Sequence, residues 1–170
     1  RWMYEESLKM PFVVKWPGVT QPGTRHSHLV QNIDYAPTFL EVAGADVPED
    51  IQGASLVPLL HGQSPADWRT SIYYHYYEFP SVHMVPRHYG IRTERYKLMH
   101  FYEFGNEWEL YDLKKDPDEV TNIYNKAKHS KLIESLKTDL RGLQEFYQDD
   151  SDISEKPKQW QAEQRKLTSK

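Results

Sequence analysis

The sequence lacks cysteine, long apolar runs and an excess of positive charge. None of its 170 residues is cysteine, which excludes disulfides, thiolate metal ligands and a cysteine nucleophile. No apolar run approaches the roughly 18 residues that a membrane-spanning helix needs. The net charge is −4, whereas a general nucleic-acid binder needs a surplus of Lys and Arg for its phosphate contacts. We therefore expect no nucleic-acid partner and no membrane span.

The first residues lack an initiator methionine and the apolar core of a signal peptide. The chain begins at Arg1, and two glutamates follow within the first six positions. A signal peptide would place an apolar run there instead. We therefore expect the chain to be a piece of a longer protein.

The most distinctive stretch that is present runs from residue 73 to residue 90. It contains three of the eight histidines, one arginine and five tyrosines. Imidazole, guanidinium and phenol groups suit a polar, anionic ligand that carries hydroxyls. The candidate substrate-binding residues are therefore His83, His88, His75 and Arg87.

For each candidate a structural role competes with ligand binding. His75 can be an ordinary strand residue among tyrosines, and Arg87 can be a surface residue. His83 and His88 lie beside prolines and a glycine in an expected loop, and loops carry sites. Metal ligation by these two histidines is disfavoured, since no carboxylate or third histidine lies at a suitable spacing. We expect no metal site and no catalytic residue in this chain.

Periodicity predicts a series of strands and helices, of which an amphipathic helix near the C-terminus is the clearest. Around Lys97 the alternation places Leu98 and His100 on one face of a strand, and Met99 and Phe101 on the other. Because both faces carry apolar or aromatic groups, we expect the strand to be covered on both sides. The predicted strands are residues 10–18, 71–77, 89–102 and 107–113, and the predicted helices are 32–43, 53–62 and 130–147.

Three carboxylates near the third strand of the sheet could be mistaken for a metal or acid/base cluster. They are Asp112, Asp116 and Glu119. Asp116-Pro117-Asp118-Glu119 carries a cap residue, an early proline and a glutamate three residues on, which is a helix-start signature. We therefore interpret these carboxylates as turn and helix-cap residues.

Five phrases in a fixed order resemble the C-terminal part of type I sulfatases of the alkaline phosphatase superfamily. Together they cover about residues 1–147. The insert from Tyr74 to His88 resembles the bacterial branch of N-acetylglucosamine-6-sulfatases and mucin-desulfating sulfatases. The phrases are Met3–Val14 with Trp16–Gly18, Asn32–Leu40 with Ala43–Gly44, Gln52–Leu56 with Pro58–Leu60, Arg92–Leu98, and Glu109–Leu113 with Asp116–Glu119 and Asn122.

The resemblance implies a fold and a division of the chain. Residues 1–69 would be the incomplete end of the sulfatase α/β domain. Residues 70–147 would form a small antiparallel sheet packed against a C-terminal helix, and residues 148–170 a polar tail. Without the missing part, the first section would expose Phe12, Val13 and Val14, so we expect low solubility or oligomers.

The resemblance also implies chemistry that lies outside this chain. Such enzymes use a formylglycine made within a Cys/Ser-x-Pro-Ser-Arg motif and a calcium ion held by early Asp and Asn residues, and neither motif occurs here. Their catalytic lysine would fall just before Arg1. We therefore expect both cofactors in a missing N-terminal sulfatase domain, a sulfated glycan as substrate, a periplasmic or secreted location, and no turnover by this chain alone.

Two other functions remain open at this point. The chain can be a non-catalytic module that binds sulfated sugars or has a structural role. It can also belong to a phosphatase or phosphodiesterase of the same superfamily, which would use a Thr or Ser nucleophile and zinc. The residues upstream of Arg1 would discriminate between these alternatives.

Overall fold

The structure is a computed structural model, and it describes residues 1–80, 82–103 and 105–149. The chain forms two compact units. One is Met10–Ile72, and the other combines Arg1–Lys9 with the chain from Tyr73 onward. The expected boundary near residue 70 lies close to the start of the second unit, whereas Arg1–Lys9 join that unit because Met3 is buried in it. Most of the expected tail lies outside the described residues.

The described residues contain four α-helices and four strands. The predicted strand 89–102 is a hairpin of two strands, and the predicted helix 130–147 is confirmed. No helix in the described part of the chain combines the length and the apolar character that crossing a bilayer requires. The helices are α1 (Glu5–Leu8), α2 (Tyr35–Val42), α3 (Val57–Leu60) and α4 (Ser130–Phe146), and the strands are β1 (Ser71–Tyr76), β2 (His88–Thr93), β3 (Tyr96–Phe101) and β4 (Glu107–Asp112).

The strands form one sheet in the order β1-β2-β3-β4. Strands β2 and β3 are antiparallel with Ile91 opposite Leu98, and β3 and β4 are antiparallel with Leu98 opposite Leu110. The leucine and isoleucine stripe of α4 packs against these side chains, because every third or fourth residue of a helix lies on one face. We call this side of the sheet the helix face.

The opposite side of the sheet is covered by the first nine residues, and we call it the N-terminal face. Met3 is fully buried there against Met99 and Tyr111. Gly90 permits this approach, since a Cβ at that position would meet the Met3 Sδ at 2.7 Å as well as a β3 carbonyl. The prediction that the strand around Lys97 is covered on both sides is confirmed.

The unit Met10–Ile72 is organised around the buried side chain of Asp34. Its carboxylate accepts two bonds from the Arg69 guanidinium, at 2.5 and 2.7 Å. It also accepts the backbone N–H groups of Gln31 at 2.7 Å and Ala54 at 2.9 Å. Asp34 therefore fixes the start of α2 to the segment that precedes α3.

The predicted strand 10–18 is wrong, because this segment forms no strand in the structure. A strand requires a hydrogen-bonded neighbour, and the segment pairs with no strand among the described residues. Phe12 and Val13 are 44% and 90% exposed. The expected exposure of apolar side chains in this section is therefore confirmed, and Phe39 on α2 adds to it.

Candidate functional site

The candidate residues lie on β1, at the start of β2 and in the connection between these strands. Because neighbouring strand residues alternate between faces, His75 lies on the helix face and His88 on the N-terminal face. His83 lies in the connection and is exposed. The structure therefore does not gather the four side chains into one cluster.

His75 is held between two partners on the helix face. Its side chain is only 2% exposed, and its Nδ1 lies 2.6 Å from the Asp149 carboxylate. Since a carboxylate only accepts, Nδ1–H donates to Asp149, and Nε2 lies 2.8 Å from the Tyr102 hydroxyl. Both ring nitrogens are thus engaged within the protein, which favours a positioning role for His75.

Two further tyrosines donate to the same carboxylate. The hydroxyls of Tyr73 and Tyr77 both bond to Asp149 Oδ2. Burial, and then the hydrogen bond to Asp149, raise the pKa of Tyr77 to about 12 and raise the pKa of Tyr73 as well. Both phenols therefore stay protonated near neutral pH and cannot act as bases.

The guanidinium of Arg87 was expected to form paired hydrogen bonds with a ligand. In the structure it forms them with a carboxylate of the protein itself. Its Nε and Nη2 lie 2.5 and 3.1 Å from the two Glu103 oxygens, and both side chains are buried. The hydrogen bonds that Arg87 donates to Glu103 raise the pKa of Arg87. The guanidinium carbon also lies 5.9 Å from the centre of the Tyr102 ring. Arg87 and His75 thus meet around Tyr102.

His88 is fully buried on the N-terminal face. Its Nδ1 lies 2.7 Å from the carbonyl oxygen of Pro86. Burial lowers the His88 pKa, so the ring is neutral at pH 7. Its Nε2 is buried and has no hydrogen-bond partner among the described residues.

His83 differs from the other three candidates because its ring is presented to solvent. Its neighbours Val82 and Met84 are also exposed, at 95% and 62%. Met84 has a φ of 48°, an uncommon backbone conformation for a residue with a side chain. Of the four candidates, His83 is therefore the one whose side chain can contact a ligand without a rearrangement of the protein.

Sequence reasoning missed a buried ionic cluster on the N-terminal face. The Lys97 side chain is 0% exposed, and its Nζ lies 2.8 Å from Glu5 Oε1 and 2.7 Å from Glu119 Oε1. Glu5 also pairs with Arg92. Burial raises the pKa of Glu5, but the hydrogen bonds from Arg92 and Lys97 outweigh it and leave the pKa below its usual value.

A signal for this cluster was present in the sequence. Alternation places Lys97 on the same covered face as Met99, and a buried ammonium requires carboxylate partners. Glu119 supplies one of them, so its predicted role as a helix-start residue is wrong. No helix begins at Asp116, which instead accepts the N–H groups of Val120 and Thr121 in a turn.

The described residues do not assemble a metal centre. Within residues 1–80, 82–103 and 105–149 no group of three His, Cys, Asp or Glu side chains converges on one point. The chemistry that this geometry supports is hydrogen bonding and positioning of a polar ligand.

Three comparisons relate the chain to known proteins. The family model described as N-sulphoglucosamine sulphohydrolase, C-terminal, matches residues 1–146. The N-acetylglucosamine-6-O-sulfatase of Bacteroides thetaiotaomicron is 50% identical over 151 residues, which are 88% of this chain and 27% of that protein.

Solved structures give the same result. A protein in complex with its substrate D-glucosamine-2-N,6-O-disulfate matches with a TM-score of 0.79 and 48% identity, over 82% of this chain and 29% of that one. The phosphonate monoester hydrolase of Agrobacterium radiobacter matches with a TM-score of 0.56 and 29% identity, over 67% and 25% of the two chains. The chain therefore spans less than a third of the length of each of these relatives.

Proposed function

The chain belongs to the family of N-sulphoglucosamine sulphohydrolase C-terminal domains, and we propose that it is the C-terminal part of a sulfatase that hydrolyses sulfate esters of glycans. The proposed substrate class is N-acetylglucosamine carrying a 6-sulfate. The observation that carries the proposal is the 50% identity over 151 residues to an N-acetylglucosamine-6-O-sulfatase. A periplasmic or secreted location is part of the same proposal.

Within that enzyme the chain's own side chains would bind and orient the sugar. His83 is exposed and can donate a hydrogen bond to a sulfate or hydroxyl oxygen. His75 and Arg87 would not touch the sugar themselves. They would position Tyr102, because their contacts fix the ring and the hydroxyl of that tyrosine. These roles are positioning and binding, and they include no bond-making step.

The residues present do not fit the formylglycine and the calcium ion that a sulfatase uses. The sequence contains no Cys/Ser-x-Pro-Ser-Arg motif, and the described residues gather no trio of metal-ligating side chains. We therefore assign both groups to residues upstream of Arg1 and derive no step of hydrolysis through them.

A chimera tests this proposal. The corresponding C-terminal region of the Bacteroides thetaiotaomicron enzyme is replaced by this chain, and desulfation of N-acetylglucosamine-6-sulfate is measured. We expect the chimera to retain turnover, and the 170-residue chain alone to show none. A folded, soluble chimera without desulfation would contradict the proposal, as would hydrolysis by the isolated chain.

His83 is tested in the same chimera. His83→Ala removes an exposed hydrogen-bonding ring, and we expect a rise in KM of about tenfold, the equivalent of one hydrogen bond. Val82→Ala is the matched control, because Val82 is the neighbouring exposed residue and offers no polar group. Equal KM values for the two variants would exclude His83 from substrate binding.

A second candidate function is phosphoester hydrolysis. It is favoured by the similarity to a phosphonate monoester hydrolase. The chimera is therefore also assayed with phosphate monoesters, phosphodiesters and phosphonate monoesters. Turnover of these compounds in preference to the sulfated sugar would favour the second candidate. Binding of sulfated sugar by the chain, without turnover by the chimera, would instead indicate a non-catalytic module.

A further inference from the structure

A buried hydrogen-bond acceptor on the N-terminal face lacks a donor. The Pro86 carbonyl can only accept, so the 2.7 Å contact requires that His88 Nδ1 carries the hydrogen. In the neutral ring the other nitrogen, Nε2, then has a free lone pair. This atom is buried and has no partner in the described part of the chain.

A buried acceptor without a donor destabilises the folded state. Buried polar side-chain atoms are nearly always hydrogen-bonded, to protein or to ordered water. An unsatisfied one costs on the order of 1–3 kcal/mol. Placed at 0% exposure, His88 therefore requires a donor that the described residues do not supply.

Four aromatic rings lie next to the His88 ring. The ring centres of Tyr74, Tyr76 and Phe101 lie 5.7, 5.6 and 4.9 Å from the imidazole centre. The two tyrosine hydroxyls are bonded elsewhere, to the Arg1 carbonyl and to the Glu78 carboxylate. We call these three rings, together with His88 and Trp2, the aromatic box.

Trp2 is the exposed member of the aromatic box. Its indole lies 5.9 Å from the His88 ring and is nearly parallel to it, with an angle of 24° between the planes. Trp2 is 39% exposed, whereas Tyr76 and His88 are buried. Trp2 is therefore the member of the aromatic box that a ligand can reach from solvent.

We propose that the aromatic box is a sugar subsite in which His88 Nε2 accepts a hydrogen bond from a hydroxyl of an uncharged part of the glycan. Apolar rings around a single polar atom are the composition of a small-molecule site. A neutral, acceptor-only nitrogen selects a hydroxyl and rejects a sulfate oxygen, which carries no hydrogen. The inference rests on the proposed function, because that function supplies the class of ligand.

The test uses the chimera with ¹⁵N-labelled histidine. The Nε2 resonance of His88 is identified by its loss in His88→Phe, and it is followed during titration with N-acetylglucosamine, N-acetylglucosamine-6-sulfate and inorganic sulfate. We expect both sugars to shift the resonance and inorganic sulfate to leave it unchanged.

Kinetics give an independent readout. His88→Phe fills the aromatic box without an acceptor, so we expect KM to rise about tenfold with kcat little changed. His88→Gln returns an acceptor near the Nε2 position, so we expect it to recover part of the affinity. Circular dichroism and the melting temperature verify that each variant is folded.

The outcomes separate this inference from the proposed function. An active chimera with an unshifted Nε2 resonance, or with unchanged KM in His88→Phe, would show that Nε2 serves only a buried water and would overturn the inference. A shift produced by inorganic sulfate alone would also overturn it, since the site would then bind anions. Loss of desulfation in the unmutated chimera would instead refute the proposed function, and the sugar titration would still test the box.

Discussion

Replacing Lys97 by methionine should destabilise the sheet unit more than any surface charge change. The variant keeps the volume of the side chain but removes an ammonium that is 0% exposed. Glu119, 1% exposed, then loses its cation, whereas Glu5 still pairs with Arg92. The substitution therefore leaves one carboxylate buried and unneutralised.

The expected loss follows from the cost of that carboxylate. Removing one partner of a buried ion pair costs about 3–5 kcal/mol, since the remaining charge stays in a poorly solvating environment. We expect about 3 kcal/mol, the lower end of that range. The reason is that the Glu5 backbone N–H still donates to Glu119 and Arg92 still neutralises the Glu5 side chain.

Native-state hydrogen exchange measures this loss in the sheet itself. The amides of Leu98 and Met99 lie in the middle of β3, and their exchange reports the opening of the sheet. A loss of about 3 kcal/mol corresponds to exchange that is on the order of 100-fold faster. Glu78→Gln is the control, because it breaks an exposed pair with Arg1 and should cost less than about 1 kcal/mol.

A double variant tests the cause. Glu119→Gln in the Lys97→Met background removes the unneutralised charge, so it should recover stability rather than lose more. A single variant with less than about 1 kcal/mol of destabilisation, or a double variant with additive losses, would refute the reasoning.

Three further predictions concern packing, pH and solubility. Gly90→Ala should abolish the folding transition of the sheet in a thermal melt, because the added Cβ would meet the backbone of β3. Gly142→Ala is the control: it lies on the open surface of α4, so it should raise the melting temperature. Burial lowers the pKa values of His88 and His100, so the unfolded state binds more protons than the folded state. The free energy of unfolding, measured in urea, should therefore fall as the pH drops below about 6.5. A variant with phenylalanine at both positions should lose less stability over the same pH range. Val13→Lys should increase the fraction of monomer measured by light scattering, because Val13 is 90% exposed and an exposed apolar side chain promotes association between copies of the chain. An unchanged monomer fraction would argue against an apolar contact at Val13.

Much of the architecture could be predicted because its signals are local. The apolar stripe of α4 and the alternation in β3 are set by residues within a few positions of one another. The resemblance to type I sulfatases, carried by ordered phrases, is confirmed by the match to residues 1–146 and by the 50% identical relative. The expected small antiparallel sheet with a C-terminal helix is likewise confirmed.

The predicted strand at residues 10–18 and the predicted helix start at Asp116 show where local signals stop. A strand exists only when another strand pairs with it, which no property of Phe12 or Val13 can reveal. The pattern at Asp116 suits a helix cap, but Glu119 adopts a φ of 52° and bonds to Lys97 instead. In both places a distant partner, or the lack of one, decided the outcome.

The same division holds for the candidate site. Composition by itself determined that residues 73–90 concentrate hydrogen-bonding side chains, because residue type fixes what a side chain can donate or accept. Only the tertiary structure decided which of them are occupied: Arg87 is paired by Glu103, and His75 is bonded to Asp149, which lies 74 residues away in the chain. Hydrogen-bond capacity is a property of one residue, whereas its availability to a ligand depends on neighbours that folding brings together.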